Sequence, residues 1–412
     1  MNRTSVCVVG LGYIGLPTAA TLAAAGHRVV GVDTNPRVVE TINGGQVHIV
    51  EPHLSDLVHD TVESGHLSAQ LEPVPAETYV ICVPTPFLGG QPIPTPDIGY
   101  VLAAARSIAE VLAPGNLVII ESTCPVGATE RVRDELAAAG VAATDVHLAY
   151  CPERVLPGRI LHELVSNDRI IGGIDGPSSS AAEAFYRTFV TGSLLTTSSR
   201  TAEMVKLVEN SFRDVNIAFA NEISILCDHL EIDPWEVIRL ANHHPRVEIL
   251  QPGPGVGGHC IAVDPWFIVA QDPATARLIH IAREVNDAKN DWVIAQIRET
   301  ASDLETALGR SVRVACLGLA YKPDVDDLRE SPALRVALAL ANAGIEVLAC
   351  EPHLDAHPLL KLHRVDEAVS QADLVVILVR HSQFANVMFG DKPVLDYCGL
   401  TVERRVALVT PA

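Results

Sequence analysis

A glycine-rich turn near the N-terminus limits what this chain can fold into. The apolar run at residues 6–9 leads into Gly10, Gly12 and Gly15, an alanine-rich segment follows, and the next apolar run ends at Asp33. Glycines in this spacing permit a tight turn and the approach of a pyrophosphate to the following helix N-terminus. An acid at the end of the second strand would bond a ribose 2′-hydroxyl and repel a 2′-phosphate. The pattern predicts a βαβ unit for NAD rather than NADP, and leaves open a flavin site or an empty fold.

Composition excludes several classes of protein. A formal net charge of −20 over 412 residues argues against non-specific nucleic-acid binding, which needs basic patches. The length allows two or three domains. Nine cysteines without a CxxC pair indicate neither a disulfide framework nor a zinc site, so no metal is expected. The sequence has no signal-peptide pattern, and its apolar runs are too short to span a bilayer. We therefore expect a cytoplasmic protein without nucleic-acid or membrane partners.

Three further apolar runs predict strands at residues 79–83, 117–121 and 147–151, the last being the final strand of this half. Ligands bind beyond the carboxyl ends of strands in an open parallel sheet, so the loops after these strands are candidate sites. The loops carry Pro84 and Thr85, then Thr123, then Glu153 and Arg154. Each loop is equally compatible with an ordinary turn, and a charged pair in a loop is often only solvated.

A long helix is predicted from residue 201 to about 230. Glu203, Lys206 and Asn210 fall at positions i, i+3 and i+7, so they share one face, which Arg213 extends. Such a polar stripe is either a solvated face or the wall of a site. Apolar residues on the other sides of this helix predict burial, for which a second subunit is one candidate.

A second glycine-rich stretch, residues 253–258, precedes Cys260, and Asp264 follows four residues later. Glycines let the backbone turn sharply and approach a ligand. A thiol in such a loop beside a carboxylate is typical of a nucleophile site, whereas most unpaired cysteines are small buried hydrophobes. Upstream, His244 and Arg246 either take a phosphate or lie at an exposed helix end.

The C-terminal part reads as a second α/β unit. Helical periodicity covers residues 275–300, and the polar segment 302–310 predicts a domain boundary. Strands are then predicted at 312–317, 345–350 and 374–379, with a helix at 333–343. Because this unit lacks the full G-x-G-x-x-G spacing, we expect it to handle a nucleotide other than NAD.

Together these motifs resemble the UDP-sugar 6-dehydrogenases of the UDP-glucose/GDP-mannose dehydrogenase family, which are NAD-dependent four-electron oxidoreductases. The resemblance covers essentially the whole chain and rests on residues 10–17, 152–154, 203–222, 257–260 and 326–331. The cysteine loop reads Gly-Gly-His-Cys, where the UDP-glucose branch usually has Gly-Gly-Ser-Cys. It is most similar to the branch that acts on UDP-N-acetyl-D-mannosamine.

The resemblance implies an α/β fold with two Rossmann-like, doubly wound domains joined by a central helical domain built on one long helix. Residues 1–198 would form the NAD-binding domain, residues 199–300 the central domain with the cysteine loop, and residues 301–412 the UDP-sugar-binding domain. It also implies a homodimer that forms through the central helices.

The family's chemistry implies two oxidations at C6 of the sugar, through a thiohemiacetal and a thioester on Cys260. Lys206, or a water bound by Asp264, would take the hydroxyl proton. Lys206 and Asn210 would stabilise the oxyanion. Glu153 would activate the hydrolytic water, with Thr123 helping to position it.

The resemblance also assigns binding residues. NAD contacts are expected from Gly10, Gly12, Tyr13, Ile14, Gly15, Asp33, Arg37, Pro84, Thr85, Thr123 and Arg329. UDP-N-acetylhexosamine contacts are expected from Arg154, Val155, Leu156, Lys206, Asn210, Arg213, His244, Arg246, Gly257, Tyr321 and Lys322. Tyr321 stands where the family has Phe, which keeps an aromatic face and adds a hydroxyl.

Three alternatives remain at this point. The same chemistry could act on UDP-N-acetylglucosamine, UDP-glucose or GDP-mannose. A catalytically inactive nucleotide-sugar-binding protein is disfavoured by the intact Cys260, Lys206, Asn210 and Asp264. A two-electron 3-hydroxyacid dehydrogenase is disfavoured because it needs neither a cysteine nucleophile nor the segment 300–412.

Overall fold

The computed structural model describes residues 4–142, 144–258 and 260–401, so His259, beside the cysteine, lies outside the described residues. The chain divides into two compact units, of which the first ends at Val208 and the second begins at Glu209. None of the helices in the described ranges is long and apolar enough to cross a membrane.

The N-terminal unit is built on one eight-stranded sheet. Its strands are β1 (Ser5–Val9), β2 (Arg28–Val32), β3 (Leu67–Gln70), β4 (Thr78–Ile81), β5 (Leu117–Ile120), β6 (His147–Tyr150), β7 (Arg169–Gly173) and β8 (Leu194–Ser198). Its helices are α1 (Gly15–Ala24), α2 (Pro36–Asn43), α3 (Leu54–Glu63), α4 (Gly99–Ala109), α5 (Ala128–Ala138), α6 (Ile160–Ser166) and α7 (Gly176–Tyr186). The strand order is β3-β2-β1-β4-β5-β6-β7-β8, and every pair is parallel except β6 with β7. The expectation that β6 is the last strand is therefore wrong, because β7 and β8 extend the sheet.

Strand β1 shows why this sheet is covered on both faces. Val6 and Val8 pack into one apolar cluster with α1, whereas Cys7 and Val9 pack into a second cluster with α4 and α5. Alternate residues of a strand point to opposite faces, and a parallel sheet buries both. The core therefore consists of two layers on either side of the sheet.

Helices and a smaller sheet make up the rest of the chain. The helices are α8 (Ser199–His229), α9 (Pro234–Ala241), α10 (Asp264–Gln271), α11 (Arg277–Leu308), α12 (Pro332–Asn342) and α13 (Val365–Gln371). The strands are β9 (Arg313–Leu317), β10 (Glu346–Cys350), β11 (Leu374–Ile377) and β12 (Val394–Asp396), in the parallel order β10-β9-β11-β12. Helix α8 begins in the N-terminal unit and continues into the C-terminal one.

The predicted long helix is confirmed as α8, with 31 residues, but α11 is a second long helix of 32 residues. It continues into the polar segment 302–310 that suggested a boundary and ends at Leu308, where Gly309 with φ +66° forms the C-cap. No glycine or proline interrupts the segment before that point, so its polar residues form an exposed helical face.

Helices α8 and α11 are joined by hydrogen bonds between buried polar side chains. We call this set the polar seam; it consists of Asp214, Asn221 and Ser224 from α8 with Arg283, Asn286, Lys289 and Asn290 from α11, all buried. Its bonds include Arg283 Nη1 to Asp214 Oδ1 at 2.7 Å and Asn286 Nδ2 to Asp214 Oδ1 at 2.8 Å. Buried polar groups need such partners, so the seam fixes how the two helices meet.

Candidate active site

The glycines of the turn after β1 have two different roles: two of them are needed for the fold, and one leaves space for a ligand. Gly10 has φ +93°, and a Cβ there would lie 2.7 Å from the carbonyl oxygen of Cys82. A Cβ at Gly15 would lie 1.8 Å from the carbonyl oxygen of Gly10. A Cβ at Gly12, by contrast, would meet no described atom within 4 Å. The fold itself thus requires Gly10 and Gly15, whereas Gly12 keeps space open beside the helix N-terminus, as a bound pyrophosphate requires.

Asp33 is held in place by the backbone of the same turn. Its Oδ2 accepts the N–H of Leu11 at 3.1 Å, and its Oδ1 accepts the N–H of Asn35 at 2.9 Å. Asn35 in turn caps α2 by accepting the N–H of Arg37 at 3.1 Å. A carboxylate offers about four acceptor sites, so Asp33 retains capacity for a ribose diol. These residues fit NAD.

The loops after β4 and β5 are joined to each other. Strand order reverses between β1 and β4, which is where ligands bind in such sheets. The hydroxyl of Thr85 donates to the carbonyl of Thr123 at 2.8 Å, and the hydroxyl of Ser122 donates to that of Val83 at 2.7 Å. The structure therefore brings the predicted Pro84-Thr85 and Thr123 loops together at this edge, while Tyr13 and Ile14 lie in the glycine turn itself.

Glu153 is buried and paired, so the alternative of a merely solvated charge is wrong. Its Oε2 accepts Arg169 Nη1 at 2.5 Å, and its Oε1 accepts the backbone N–H of Arg154 at 2.7 Å. Both partners of the ion pair are less than a tenth exposed. The Glu153 carboxylate is therefore held in place by a buried guanidinium and by the backbone of its own loop.

The loop that carries Arg154, Val155 and Leu156 is held by an acid that sequence reasoning missed. Glu51 is buried, and its two oxygens accept the N–H groups of Gly158 and Ile160, both at 2.8 Å. An acid between apolar residues and a proline is its only local signal. The loop it anchors lies more than a hundred residues away, so the sequence does not reveal its role.

Glu203, placed on the polar face of the long helix, does not line a site. It is fully buried and accepts the N–H groups of Gly127 and Thr129 at 2.6 and 2.8 Å, and the Thr129 hydroxyl at 2.6 Å. Burial raises the pKa of Glu203, and these bonds partly offset the shift. It therefore caps the N-terminus of α5. Lys206, one turn further on, is also buried.

The cysteine turn leads directly into α10. The carbonyl of Cys260 accepts the N–H groups of Val263 and Asp264 at 3.1 and 2.8 Å. Asp264 is the first residue of α10, where the helix dipole favours a negative charge. Its Oδ2 accepts Asn210 Nδ2 at 2.6 Å. The structure thus brings Asn210, Asp264 and the cysteine turn together.

Residues of the C-terminal α/β part surround the same turn. Gly258 donates its N–H to the carbonyl of Arg329 at 3.1 Å, and a Cβ there would lie 2.8 Å from the Tyr321 ring. Burial raises the pKa of Tyr321, which also interacts electrostatically with Cys260 and Arg213. Arg329, predicted to contact the cofactor, lies beside the cysteine turn through its carbonyl, and its guanidinium pairs with Asp327.

The remaining predicted substrate residues differ in their settings. Lys322 Nζ lies 5.6 Å from the centroid of the Tyr321 ring. At Gly257 a Cβ would lie 2.5 Å from the carbonyl oxygen of Glu330, so the position requires glycine. His244 and Arg246 are exposed in the loop after α9, where the N–H of Arg246 donates to His244 Nδ1 at 3.3 Å. Their roles toward a ligand stay predictions.

The thiol pKa is raised by burial at all eight cysteines other than Cys260. Burial raises the pKa of Cys7 to about 11 and those of Cys151, Cys316 and Cys350 to about 12. It also raises the pKa values of Cys82, Cys124, Cys227 and Cys398. Cys124, near the predicted cofactor loops, is completely buried. Only the thiolate is nucleophilic, so these eight thiols are poor nucleophiles.

One side-chain cluster has the composition of a metal site. Ligand atoms of Asp324, His353 and His381 lie within 4.8 Å of one another. However, Nδ1 of His381 accepts the N–H of Asp324 at 2.9 Å, so Nε2 carries the proton and donates to Glu351 Oε2 at 3.1 Å. Glu351 also accepts the backbone N–H of Leu319 at 2.7 Å. Asp33 accepts the backbone N–H of Leu11 in the same way, in the glycine-rich turn after β1. Nε2 of His381 thus holds Glu351, while Nδ1 holds the backbone of Asp324.

Comparison with known proteins agrees with this geometry. The sequence matches three domains of the UDP-glucose/GDP-mannose dehydrogenase family: the NAD binding domain at residues 4–190, the central domain at 200–288 and the UDP binding domain at 315–401.

Full-length relatives are also similar. A UDP-N-acetyl-D-mannosamine dehydrogenase of Salmonella typhi is 54% identical over 404 residues, covering 93% of this chain and 95% of that protein. An NDP-N-acetyl-D-galactosaminuronic acid dehydrogenase of Ralstonia nicotianae is 49% identical over 420 residues, covering 98% and 97%. The solved UDP-N-acetyl-mannosamine dehydrogenase of S. aureus has 41% identity and a TM-score of 0.87, covering 96% of this chain and 99% of that one.

These matches confirm the resemblance drawn from the motifs, the fold class and NAD as the cofactor. The glycine turn with Asp33 supplies the dinucleotide site that the first matched domain requires. The chain is therefore a member of the UDP-glucose/GDP-mannose dehydrogenase family of NAD-dependent oxidoreductases.

Proposed function

We propose that this enzyme oxidises C6 of UDP-N-acetyl-D-mannosamine to the carboxylate, giving UDP-N-acetyl-D-mannosaminuronate. The cysteine loop and the relatives of that name support this substrate. A second candidate is a nucleotide-linked N-acetyl-D-galactosamine, which the name of the relative from Ralstonia nicotianae favours. UDP-N-acetylglucosamine, UDP-glucose and GDP-mannose are further alternatives, since the choice depends on a few contacts to the sugar.

The proposed chemistry removes four electrons in two oxidations. NAD, when bound, supplies the hydride acceptor for each of them. Lys206, or a water held by Asp264, accepts the proton of the 6-hydroxyl as the aldehyde forms. The Cys260 thiolate adds to the aldehyde carbon, and Lys206 and Asn210 stabilise the oxyanion.

Loss of the second hydride leaves a thioester on Cys260. Water then adds to the thioester carbon, the C–S bond breaks, and the thiolate is released with the carboxylate product. Glu153 accepts the proton of this water, and Thr123 helps to position it. The buried pair with Arg169 supports this role of Glu153, because it holds the carboxylate in one position.

We assign residues 1–198 to NAD binding, 199–300 to the central domain and 301–412 to UDP-sugar binding. The nucleotide sugar would be held by Arg154, Val155, Leu156, Arg213, His244, Arg246, Gly257, Tyr321 and Lys322. NAD contacts would include Tyr13, Ile14, Arg37, Pro84, Thr85 and Arg329. Cations in this set suit the diphosphate, because guanidinium and ammonium groups donate to phosphate oxygens.

The proposed oligomer is a homodimer formed through α8. Phe212, Phe219 and Leu226 recur every seven residues on this helix, so they share one face. They are 67%, 50% and 47% exposed. A row of large apolar side chains open to solvent is typical of a subunit interface.

One observation carries the proposal: the turn of Cys260 is fixed to Asp264, whose carboxylate is bonded to Asn210. A thiol, a carboxylate and an amide donor in this arrangement suit thioester chemistry. An inactive nucleotide-sugar-binding protein would have no need to retain all of them.

The experiment counts NADH formed per nucleotide sugar consumed, in the wild type and in Cys260→Ala. UDP-N-acetylmannosamine is compared with UDP-N-acetylgalactosamine, UDP-N-acetylglucosamine, UDP-glucose and GDP-mannose. About two NADH per UDP-N-acetylmannosamine, with turnover lost in Cys260→Ala, is expected. The same ratio on another sugar would replace the substrate and keep the mechanism. One NADH, or turnover without the thiol, would overturn the four-electron mechanism, and binding without turnover would indicate the inactive protein.

A further inference from the structure

Two buried asparagines hold the beginning of the cysteine loop. Asn290, on α11, is 2% exposed, and its Nδ2 donates to the carbonyls of Pro254 at 3.2 Å and Pro332 at 2.9 Å. Pro254 belongs to the cysteine loop, and Pro332 is the first residue of α12. One amide group therefore joins the loop to the segment against which its later residues pack.

Asn221, on α8, holds the preceding residue of the loop. Its Oδ1 accepts the N–H of Gly253 at 2.9 Å, and its Nδ2 donates to Asn286 Oδ1 at 2.9 Å. Asn286 is fixed in turn by its bond to Asp214. Residues 253 and 254 are thus attached to both long helices by side chains of the polar seam.

The rest of the loop has little room to absorb a displacement. A Cβ at Gly255 would lie 3.0 Å from Pro332 Cβ, and one at Gly257 would lie 2.5 Å from the carbonyl oxygen of Glu330. The N–H of Gly258 donates to Arg329. Because this packing is continuous up to the residue before His259, a shift at Pro254 would be passed along the backbone toward Cys260.

We propose that Asn290 and Asn221 are positioning residues for Cys260. They set where the thiol stands relative to Asp264 and Asn210. The inference rests on the proposed function, in which Cys260 forms the covalent intermediate. In addition, the position of the thiol is set by the polar seam, because its asparagines bind the loop backbone.

The chemistry predicts a specific defect. Oxidation of the alcohol to the aldehyde does not use the thiol, whereas the second oxidation requires it in place. Displacement of a reacting group by about 1 Å can lower a rate on the order of 100-fold. Loss of either asparagine should therefore slow the second step and release aldehyde, while the KM values for NAD and the nucleotide sugar change little.

The test compares Asn290→Ala and Asn221→Ala with Gln296→Ala. Gln296, also on α11, donates to Asp228 Oδ2 of α8 at 2.6 Å, so it joins the same two helices at a point away from the loop. Each variant is assayed for kcat, KM, NADH per sugar consumed and aldehyde trapped as its oxime with hydroxylamine. The rate of Cys260 alkylation by iodoacetamide is measured in parallel.

Both asparagine variants are expected to lower kcat about 10- to 100-fold, release trappable aldehyde and alter the alkylation rate, whereas Gln296→Ala behaves as the wild type. If one asparagine variant does not fold, the other variant tests the inference. Wild-type kcat and NADH ratio in a folded asparagine variant, alongside an inactive Cys260→Ala, would overturn the inference alone. Full turnover by Cys260→Ala would overturn the proposed function, while alkylation would still report whether the asparagines place the thiol.

Discussion

Several buried carboxylates of this protein are bound by backbone N–H groups. Glu51, Glu203 and Glu351 each accept at least two such bonds and are almost completely buried. A carboxylate satisfied in this way fixes a loop or a helix end and needs no cation nearby. Asp264 differs, because an amide side chain of the predicted site is bonded to it.

Lys289 is the opposite case, a buried cation. It is 2% exposed, donates to Ser224 Oγ at 2.8 Å and lies 3.8 Å from the centroid of the Trp292 ring. Burial lowers its pKa to about 7, with Asp228 offsetting part of the shift. An unfolded lysine has a pKa of about 10.4. The unfolded state therefore binds more protons between these two values, and stability rises with pH across that window.

Lys289→Met should consequently be more stable than the wild type at pH 6. Methionine is of similar length and needs no solvation of a charge. The difference in free energy of unfolding should narrow by on the order of 2 kcal/mol between pH 7 and 9, because each pKa unit corresponds to about 1.4 kcal/mol. Urea denaturation at pH 7 and at pH 9 measures how far this difference narrows, and the exposed Lys361→Met is the control. An equal difference at both pH values would contradict the assignment.

At the scale of elements, the turn between β1 and α1 contains glycines that the fold requires and a glycine that ligand binding requires. Gly15 touches the backbone of Gly10, and helix α1 is buried along nearly its whole length. Gly12 has open space around its Cα. The same motif therefore contains one glycine that the unit needs in order to fold and one that it needs only when a dinucleotide is bound.

Gly12→Ala and Gly15→Ala should separate these two roles. Gly12→Ala is expected to keep the wild-type melting temperature and to weaken NAD binding at least tenfold, because the added methyl occupies ligand space. Gly15→Ala is expected to destabilise the N-terminal unit by several degrees or prevent folding, since its Cβ overlaps a carbonyl oxygen. Thermal unfolding and NAD titration test both. Unchanged NAD affinity in Gly12→Ala would place the pyrophosphate elsewhere.

Elements with strong local signals were predictable and the others were not. Strand β2 has the bounds given by its apolar run, which ends at an acid. Strand β3 is short and half polar, and β7 ends in two glycines, so neither has a strong strand pattern. In the site, Asn210 and Asp264 were both predicted as catalytic residues from their motifs, but the bond between them could not be read from the sequence. The role of Glu203, on the same helical face, could not be predicted because its partners lie more than seventy residues earlier.

At the scale of the whole molecule, α8 has two faces with different demands. One face carries the buried polar seam toward α11, and the other exposes Phe212, Phe219 and Leu226. A stable protein interface buries about 1,200–2,000 Å² in total, usually around large apolar residues. The helix thus has residues that suit an internal polar contact on one side and an apolar one with another copy on the opposite side.

Phe219→Asp should convert the proposed dimer to a monomer. A charge at the centre of an apolar interface has no partner there, so the dissociation constant of the dimer should rise on the order of 100-fold or more. Light scattering after size-exclusion chromatography measures the mass. Leu359→Asp, at a position that is 73% exposed in the C-terminal α/β part, is the matched control and should leave the mass unchanged. A monomeric wild type would contradict the proposed assembly.

The raised pKa values of the eight cysteines other than Cys260 have a consequence for oxidative damage. Peroxides react with thiolates, and burial keeps those eight sulfurs protonated at cellular pH. In the mechanism proposed above, inactivation by peroxide would then follow the oxidation state of Cys260. At the sulfenic stage a cellular reductant would restore activity. Oxidation to the sulfinic acid would inactivate the enzyme irreversibly, with the fold left intact.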